Sequence, residues 1–233
     1  MKILAIGAHP DDIELGLGGS LARYVEEGKE VYALILSRGE KGVRDEKVGG
    51  KLVKEKEKDE LKGKMRENET RKALNLLGVK NENIKILGLS DGGIKPNSDV
   101  TEKVYEHIMK VNPDVIYTHF FEDEHLDHVS TSLITLHAGR RIKNILFYES
   151  PSTKTSFSPN YFVDISDYID KKVEALKMHK TQEGKPYMDE EVIKAKARFR
   201  GFQARVKYAE GFVIGRMVTV TKALRVVLGG EKE

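Results

Sequence analysis

His9-Pro10-Asp11-Asp12 and His125-Leu126-Asp127-His128 are the two strings of this chain whose residue types and spacing suit chemistry. Imidazole nitrogens together with a carboxylate oxygen match zinc held in the catalytic manner, by three protein ligands with one position open to water. The His and Asp residues left over from such a set are free to orient the ligands or to move protons. Each string alone also has a plainer use. An Asp pair ahead of a helix is a common N-terminal cap, and a lone HxxH at a helix start is more often surface than ligand. What favours a metal site is where the surrounding elements put the two strings.

Residues 2–7 (KILAIG) form a short apolar run closed by glycine, the pattern of a strand buried on both faces. Residues 30–37, 84–87, 115–118 and 145–148 read as further strands. Apolar spacing predicts helices over 20–27, 65–77, 100–111 and 129–141, with Gly28, Gly78 and Asn112-Pro113 among the stops. Strand and helix alternate through the first 150 residues, which predicts an α/β fold with a Rossmann-like, mostly parallel sheet and helices on both faces. Ligands of such sheets gather beyond the carboxyl ends of the strands. His9–Asp12 follow the first strand and His125–His128 follow the strand at 115–118, so both strings belong to that one edge.

Two regions break the rhythm. Residues 41–64 are charged, of mixed sign and glycine-containing, and read as a surface loop with a frayed helix; a lid over the site is the second reading. After residue 150 come a Ser/Pro/Thr-rich loop, helices around 166–178 and 189–207, and an apolar strand within 211–220. These are expected to elaborate the same domain, giving one unit over 1–233 with its core in 1–150.

Composition narrows the function classes. The 40 basic and 37 acidic residues are intermixed, leaving a net charge of +3 and no cationic stripe for a phosphate backbone, so nucleic acid is not an expected partner. There is no cysteine, which excludes disulfides, thiolate ligands and a cysteine nucleophile. No apolar stretch approaches the ~18 residues that span a bilayer, so no integral membrane segment is expected. The opening apolar run is too short for a signal peptide, and the expected location is the cytoplasm. Gly16-Leu17-Gly18-Gly19 lacks the GxGxxG spacing of a dinucleotide site, and tight packing accounts for these glycines.

Ala8-His9-Pro10-Asp11-Asp12-Ile13-Glu14, with Gly16, Gly18 and Gly19 behind it, resembles the first signature of the PIG-L/LmbE-like deacetylases. His125-Leu126-Asp127-His128 resembles the second, with Leu126 in place of the usual proline. Weaker matches follow in order: Arg66 and Glu69, Gly88-Leu89 with Asp91-Gly92, His179 with Gln182, and Tyr208-Ala209-Glu210. The resemblance implies zinc-dependent removal of an N-acetyl group from an N-acetylglucosamine-containing small molecule, releasing acetate and a free amine. It also implies roles: His9, Asp12 and His128 as ligands of one Zn²⁺ per chain, and Asp11 as general base. His125 would be the electrophilic or acid histidine, Asp127 the carboxylate that orients it, and Arg66 a contact to substrate. Some relatives form trimers or hexamers, so the resemblance also implies a homo-oligomer. Two other readings stay open, a silent sugar- or nucleotide-binding protein on the same fold and another metal-dependent hydrolase. Of the remaining polar residues, His119 is expected in the pocket wall and Glu14 on nearby backbone amides. His179 is expected either at substrate or as a helix cap.

Overall fold

The apolar runs at residues 3–6, 31–36 and 115–118 lie side by side in the middle of a sheet, where both faces of a strand must be covered. The computed structural model describes residues 1–44 and 55–218. Its strands are β1 (Lys2–Gly7), β2 (Glu30–Ser37), β3 (Ile84–Leu89), β4 (Val115–His119), β5 (Ile145–Tyr148), β6 (Tyr161–Asp164) and β7 (Ala209–Arg216). They stand in the order β3-β2-β1-β4-β5-β7-β6. β1 through β5 are parallel, and β7 runs antiparallel to both β5 and β6. The expected α/β, Rossmann-like sheet is the one observed.

The helices are α1 (Asp12–Glu26), α2 (Glu55–Leu76), α3 (Ser98–Val111), α4 (Leu126–Ala138), α5 (Ile169–Leu176) and α6 (Glu190–Ala204). Alternation along β1 sorts them into two layers. Ile3 and Ala5 face the layer that carries Leu21, Leu74, Val173 and Ile193, whereas Leu4 and Ile6 face Val104, Ile108 and Ile134. The chain lays down β1, β2 and β3 in one direction, then returns to place β4 on the other side of β1. That reversal opens a crevice at the carboxyl ends of β1 and β4, the usual ligand position in open α/β sheets.

Three details differ from the sequence expectation. Residues 55–64 are regular helix, the opening turns of α2, whose charge and lack of an apolar stripe hid them in the 41–64 loop. The lid reading for that loop falls mainly on residues 45–54, outside the described residues. The strand β6 is four residues long, and α1 begins at Asp12 rather than at residue 20.

The early start of α1 has a local cause. Leu17 sits at φ −148°, outside helical geometry, so the helix is broken between Gly16 and Gly18. The groups freed at the break are answered from far away in sequence. Glu210 accepts from the amides of Gly19 (3.0 Å) and Ser20 (2.7 Å), while Lys172 donates to the Leu15 carbonyl (2.7 Å). Lys172 and Glu210 are themselves paired at 2.6 Å, both buried. Gly16 lies so close to the Tyr148 ring that a Cβ there would collide with it, and the Tyr148 hydroxyl donates to the carbonyl of Ile6 at 2.9 Å. The first turn of α1, which carries Asp12, is thereby fastened to β1 and β5.

Candidate metal and catalytic centre

Asp11 has a backbone of φ 107°, ψ −26°, a left-handed conformation rare outside glycine. Such strain is kept where surrounding structure over-determines it, commonly at functional sites. Its effect is to send two neighbouring carboxylates apart. Asp12 turns into a nest of imidazoles, with Oδ1 3.4 Å from His128 Nε2 and Oδ2 3.4 Å from His9 Nδ1 and 3.1 Å from His119 Nε2. Asp11 turns the other way and meets the Arg66 guanidinium at 3.0 Å.

Ligand atoms of His9, Asp12 and His128 lie within 4.8 Å of one another, and all three residues are buried. His9 also forms a second such group with Asp91 and His125, and in the first group carboxylates stand behind the two rings. Nε2 of His9 is 3.2 Å from Asp127 and 3.3 Å from Asp91, which leaves Nδ1 toward Asp12. Nδ1 of His128 is 3.3 Å from Asp123, which leaves Nε2 toward Asp12. A carboxylate behind each ligating imidazole is the arrangement that fixes tautomer and ring direction at metal sites. Five carboxylates are buried here (Asp11, Asp12, Asp91, Asp123 and Asp127) beside a single guanidinium. The excess of negative charge and the N/N/O donor set fit a divalent cation of the zinc kind.

The electrostatics follow the same pattern. Burial raises the Asp11 pKa above the usual carboxylate range, with Arg66 opposing it. Burial also works against the charged form of Asp12, but His128 and His119 outweigh it and hold that carboxyl well below its ordinary value. Burial lowers His128 and its two carboxylates raise it, for a net rise to about 9. His119 is fully buried, and desolvation brings it down to about 4. It is therefore neutral, and it stacks on His128 with ring centroids 4.0 Å apart.

Asp123 is held harder than any other carboxylate of the site. It accepts from Ser150 Oγ (2.6 Å), Ser152 Oγ (2.6 Å), Thr153 Oγ1 (2.9 Å) and the His125 amide (2.8 Å). The Ser/Pro/Thr-rich loop after β5 thus serves as a clamp for the carboxylate behind His128.

Residues 4–139 match the PIG-L family model, described as GlcNAc-PI de-N-acetylase. The chain belongs to the PIG-L family. An E. coli K12 protein described as the uncharacterised deacetylase YaiS is 34% identical over 188 residues, covering 77% of this chain and 90% of its own. Diacetylchitobiose deacetylase of Thermococcus kodakarensis is 27% identical over 90% of this chain and 81% of its own. The crystal structure of N,N'-diacetylchitobiose deacetylase from Pyrococcus horikoshii superposes with a TM-score of 0.79 at 25% identity, over 92% of this chain and 84% of that one. This PIG-L protein is a hydrolytic N-deacetylase.

Not every side chain stands where the family resemblance implied. Asp127 accepts from the amides of Gly92 (2.7 Å) and Ile94 (3.2 Å) and turns its carboxylate to His9 rather than to His125. Only its backbone amide reaches His125, donating to Nδ1 at 3.2 Å. That contact leaves the ring proton of neutral His125 on Nε2. His125 lies among the other rings, 4.7 Å from His9 and 4.6 Å from His128 between centroids. Arg66, expected at substrate, is 3% exposed and is taken up by Asp11 and by the carbonyls of Gly39 (2.9 Å) and Pro10. Gly39, at φ 63°, packs where a Cβ would strike that guanidinium. Glu14 accepts from Thr70 (2.8 Å) and meets His179 Nε2 (3.0 Å), neither a backbone amide nor a substrate contact. His119 lies in the site as expected, but against Asp12 rather than in an open wall. Asp91 and Asp123 were not singled out as site residues. Both lie just beyond the strands β3 and β4, and Asp91 stood in one of the weaker family matches.

Among the described residues no helix is long and apolar enough to cross a membrane. A depression of about 610 Å³ between α3 and α4 shares no residue with this site.

Proposed function

We propose that this deacetylase removes the acetyl group from an N-acetylglucosamine-containing small molecule, using one zinc ion held by His9, Asp12 and His128. The observation that carries the reading is the divergence of Asp11 and Asp12, by which Asp12 joins a three-donor centre while its neighbour Asp11, paired with Arg66, stays out of it. When bound, zinc would polarise the amide carbonyl and bring a water toward a pKa of about 7.

The remaining chemistry belongs to the chain. Asp11 takes a proton from the attacking water, and burial raises its pKa against the opposing charge of Arg66. Arg66 holds that carboxylate in register through Oδ2. Water oxygen bonds to the acetyl carbon, and His125 offers its Nε2 hydrogen to the oxygen that gains negative charge. In the neutral ring that hydrogen sits on Nε2, because Nδ1 accepts from the Asp127 amide. The proton on Asp11 then passes to the leaving nitrogen, the C–N bond breaks, and acetate and a free amine are released.

The sugar class is supported by the family description and by the diacetylchitobiose deacetylases that resemble the chain. The test is acetate release from a panel of N-acetylglucosamine conjugates, comparing zinc-loaded and chelated protein. Metal-dependent release from at least one amino-sugar conjugate is expected. Equal release after chelation, or release only from acetyl compounds without a sugar, would overturn the proposal.

A further inference from the structure

Glu14 lies in the first turn of α1, two residues past Asp12, and is buried. Its side chain is held at one oxygen. Oε1 accepts from Thr70 Oγ1 at 2.8 Å and from His179 Nε2 at 3.0 Å, while Oε2 has no partner among the described residues. His179 is also buried, and it reaches Glu14 from 165 positions along the chain. Burial works against a charged His179 ring, but Glu14 outweighs it and the pKa is raised, with Asp11 adding to the rise and Arg66 opposing it. The ring therefore lies within reach of the charges on Asp11 and Arg66.

The helix that supplies Thr70 supplies Arg66 one turn earlier, on the same face. Arg66 grips Asp11 and Thr70 grips Glu14, so α2 holds the chain at two points on either side of Asp12. The segment that supplies His179 is fastened to the same frame. Thr181 donates to Glu69 of α2 through its amide (2.9 Å) and its hydroxyl (2.6 Å), and Gln182 donates to the Gly42 carbonyl (3.3 Å) beside Arg66. Within these grips lies the left-handed backbone of Asp11, at φ 107°. A non-glycine residue keeps such a conformation only while its surroundings over-determine it. Asp12 has an anchor of its own, accepting from the His9 amide at 2.6 Å.

Resting on the reading of Asp11 as the base, we propose that His179 is a positioning residue for the deacetylation. By holding Glu14 it pins the first turn of α1 against α2. The pinned turn keeps Asp11 in the backbone conformation that aims its carboxylate at Arg66 and away from the metal ligands. His179 acts through Glu14 and takes no part in the bond changes. Loss of its bond to Glu14 lets the base drift and slows the chemical step, while Asp12 keeps its place.

The experiment measures zinc content, kcat and KM on zinc-loaded wild type, His179→Leu, His179→Gln, Glu14→Leu and the double variant of both leucines, using the best N-acetylglucosamine conjugate of the panel above. His179→Leu should lower kcat about 100-fold, the scale of an ångström-sized misplacement, at unchanged KM and with one zinc per chain. His179→Gln places an amide N–H where Nε2 stands and should return kcat to within a few-fold of wild type. Adding His179→Leu to Glu14→Leu should cost no further kcat, because both act at one point. Wild-type kcat in His179→Leu, a loss explained by missing zinc, no rescue by Gln, or a full further loss in the double variant overturns the proposal. Asp11→Asn keeps the two readings apart. If it turns over near the wild-type rate, the base reading fails and takes the proposal with it; if it is inactive while His179→Leu is unimpaired, only the positioning role fails. Should His179→Leu not fold, or no conjugate be turned over, crystal structures of His179→Asn and His179→Gln decide. The shorter Asn falls short of Glu14, so Asp11 should leave its φ of 107° or its 3.0 Å contact with Arg66 there and keep both in His179→Gln. An Asp11 unmoved in both overturns the proposal.

Discussion

At the scale of single residues, the site depends on carboxylates that stand behind its histidines. Asp123, Asp127 and Asp91 stand behind His128 and His9 and set which nitrogen each ring presents. Asp123→Asn should weaken zinc binding by about 10–100-fold while leaving the fold intact, as loss of such a partner typically does. Chelator competition followed by zinc content checks this. An unchanged affinity would mean that the clamp of Ser150, Ser152 and Thr153 has no bearing on the metal. The two motifs were legible in the sequence because each packs its donors into four residues. The carboxylates behind them were not. Asp123 finds its hydroxyl partners 27 to 30 positions away, and Asp91 reaches His9 from beyond the edge strand β3. Arg66 was legible as a site residue but not in its direction, which depends on how α2 packs against the Gly39–Gly42 turn.

At the scale of elements, the broken helix α1 and the buried pair Lys172–Glu210 form one device. Glu210 caps the second half of the helix and Lys172 closes the first. Glu210→Met would strand the Lys172 charge and two amides in a buried place, so it should cost about 3–5 kcal/mol. Urea denaturation of the variant measures the loss. Adding Lys172→Met should restore part of it, since the stranded charge is then gone. A loss below about 1 kcal/mol in the single variant would show that the pair is incidental. Strands were the most legible elements, because parallel strands buried on both faces read as continuous apolar runs. The opening of α2 was hidden for the opposite reason. The sequence there is dominated by charge, with no apolar stripe, so no periodicity marks it as helix. Gly16, Gly18 and Gly19 likewise concealed the first turns of α1, whose continuity depends on Tyr148 and Glu210, far along the chain.

At the scale of the molecule, a sheet whose order reverses at β1 brings two short strings, more than a hundred residues apart, to one crevice. Later elements reach back to it: β5 leads into the loop that clamps Asp123, and β7 carries Glu210 to the break in α1. The central claim is that Asp11 moves the proton while Asp12 holds the metal. Its most direct test is Asp11→Asn, with zinc content and acetate release measured on the same sample. One zinc per chain is expected to remain, with turnover lower by about 10²–10⁴-fold, the usual contribution of a positioned base. Turnover within a few-fold of wild type, at full zinc occupancy, would contradict the assignment of the base to Asp11.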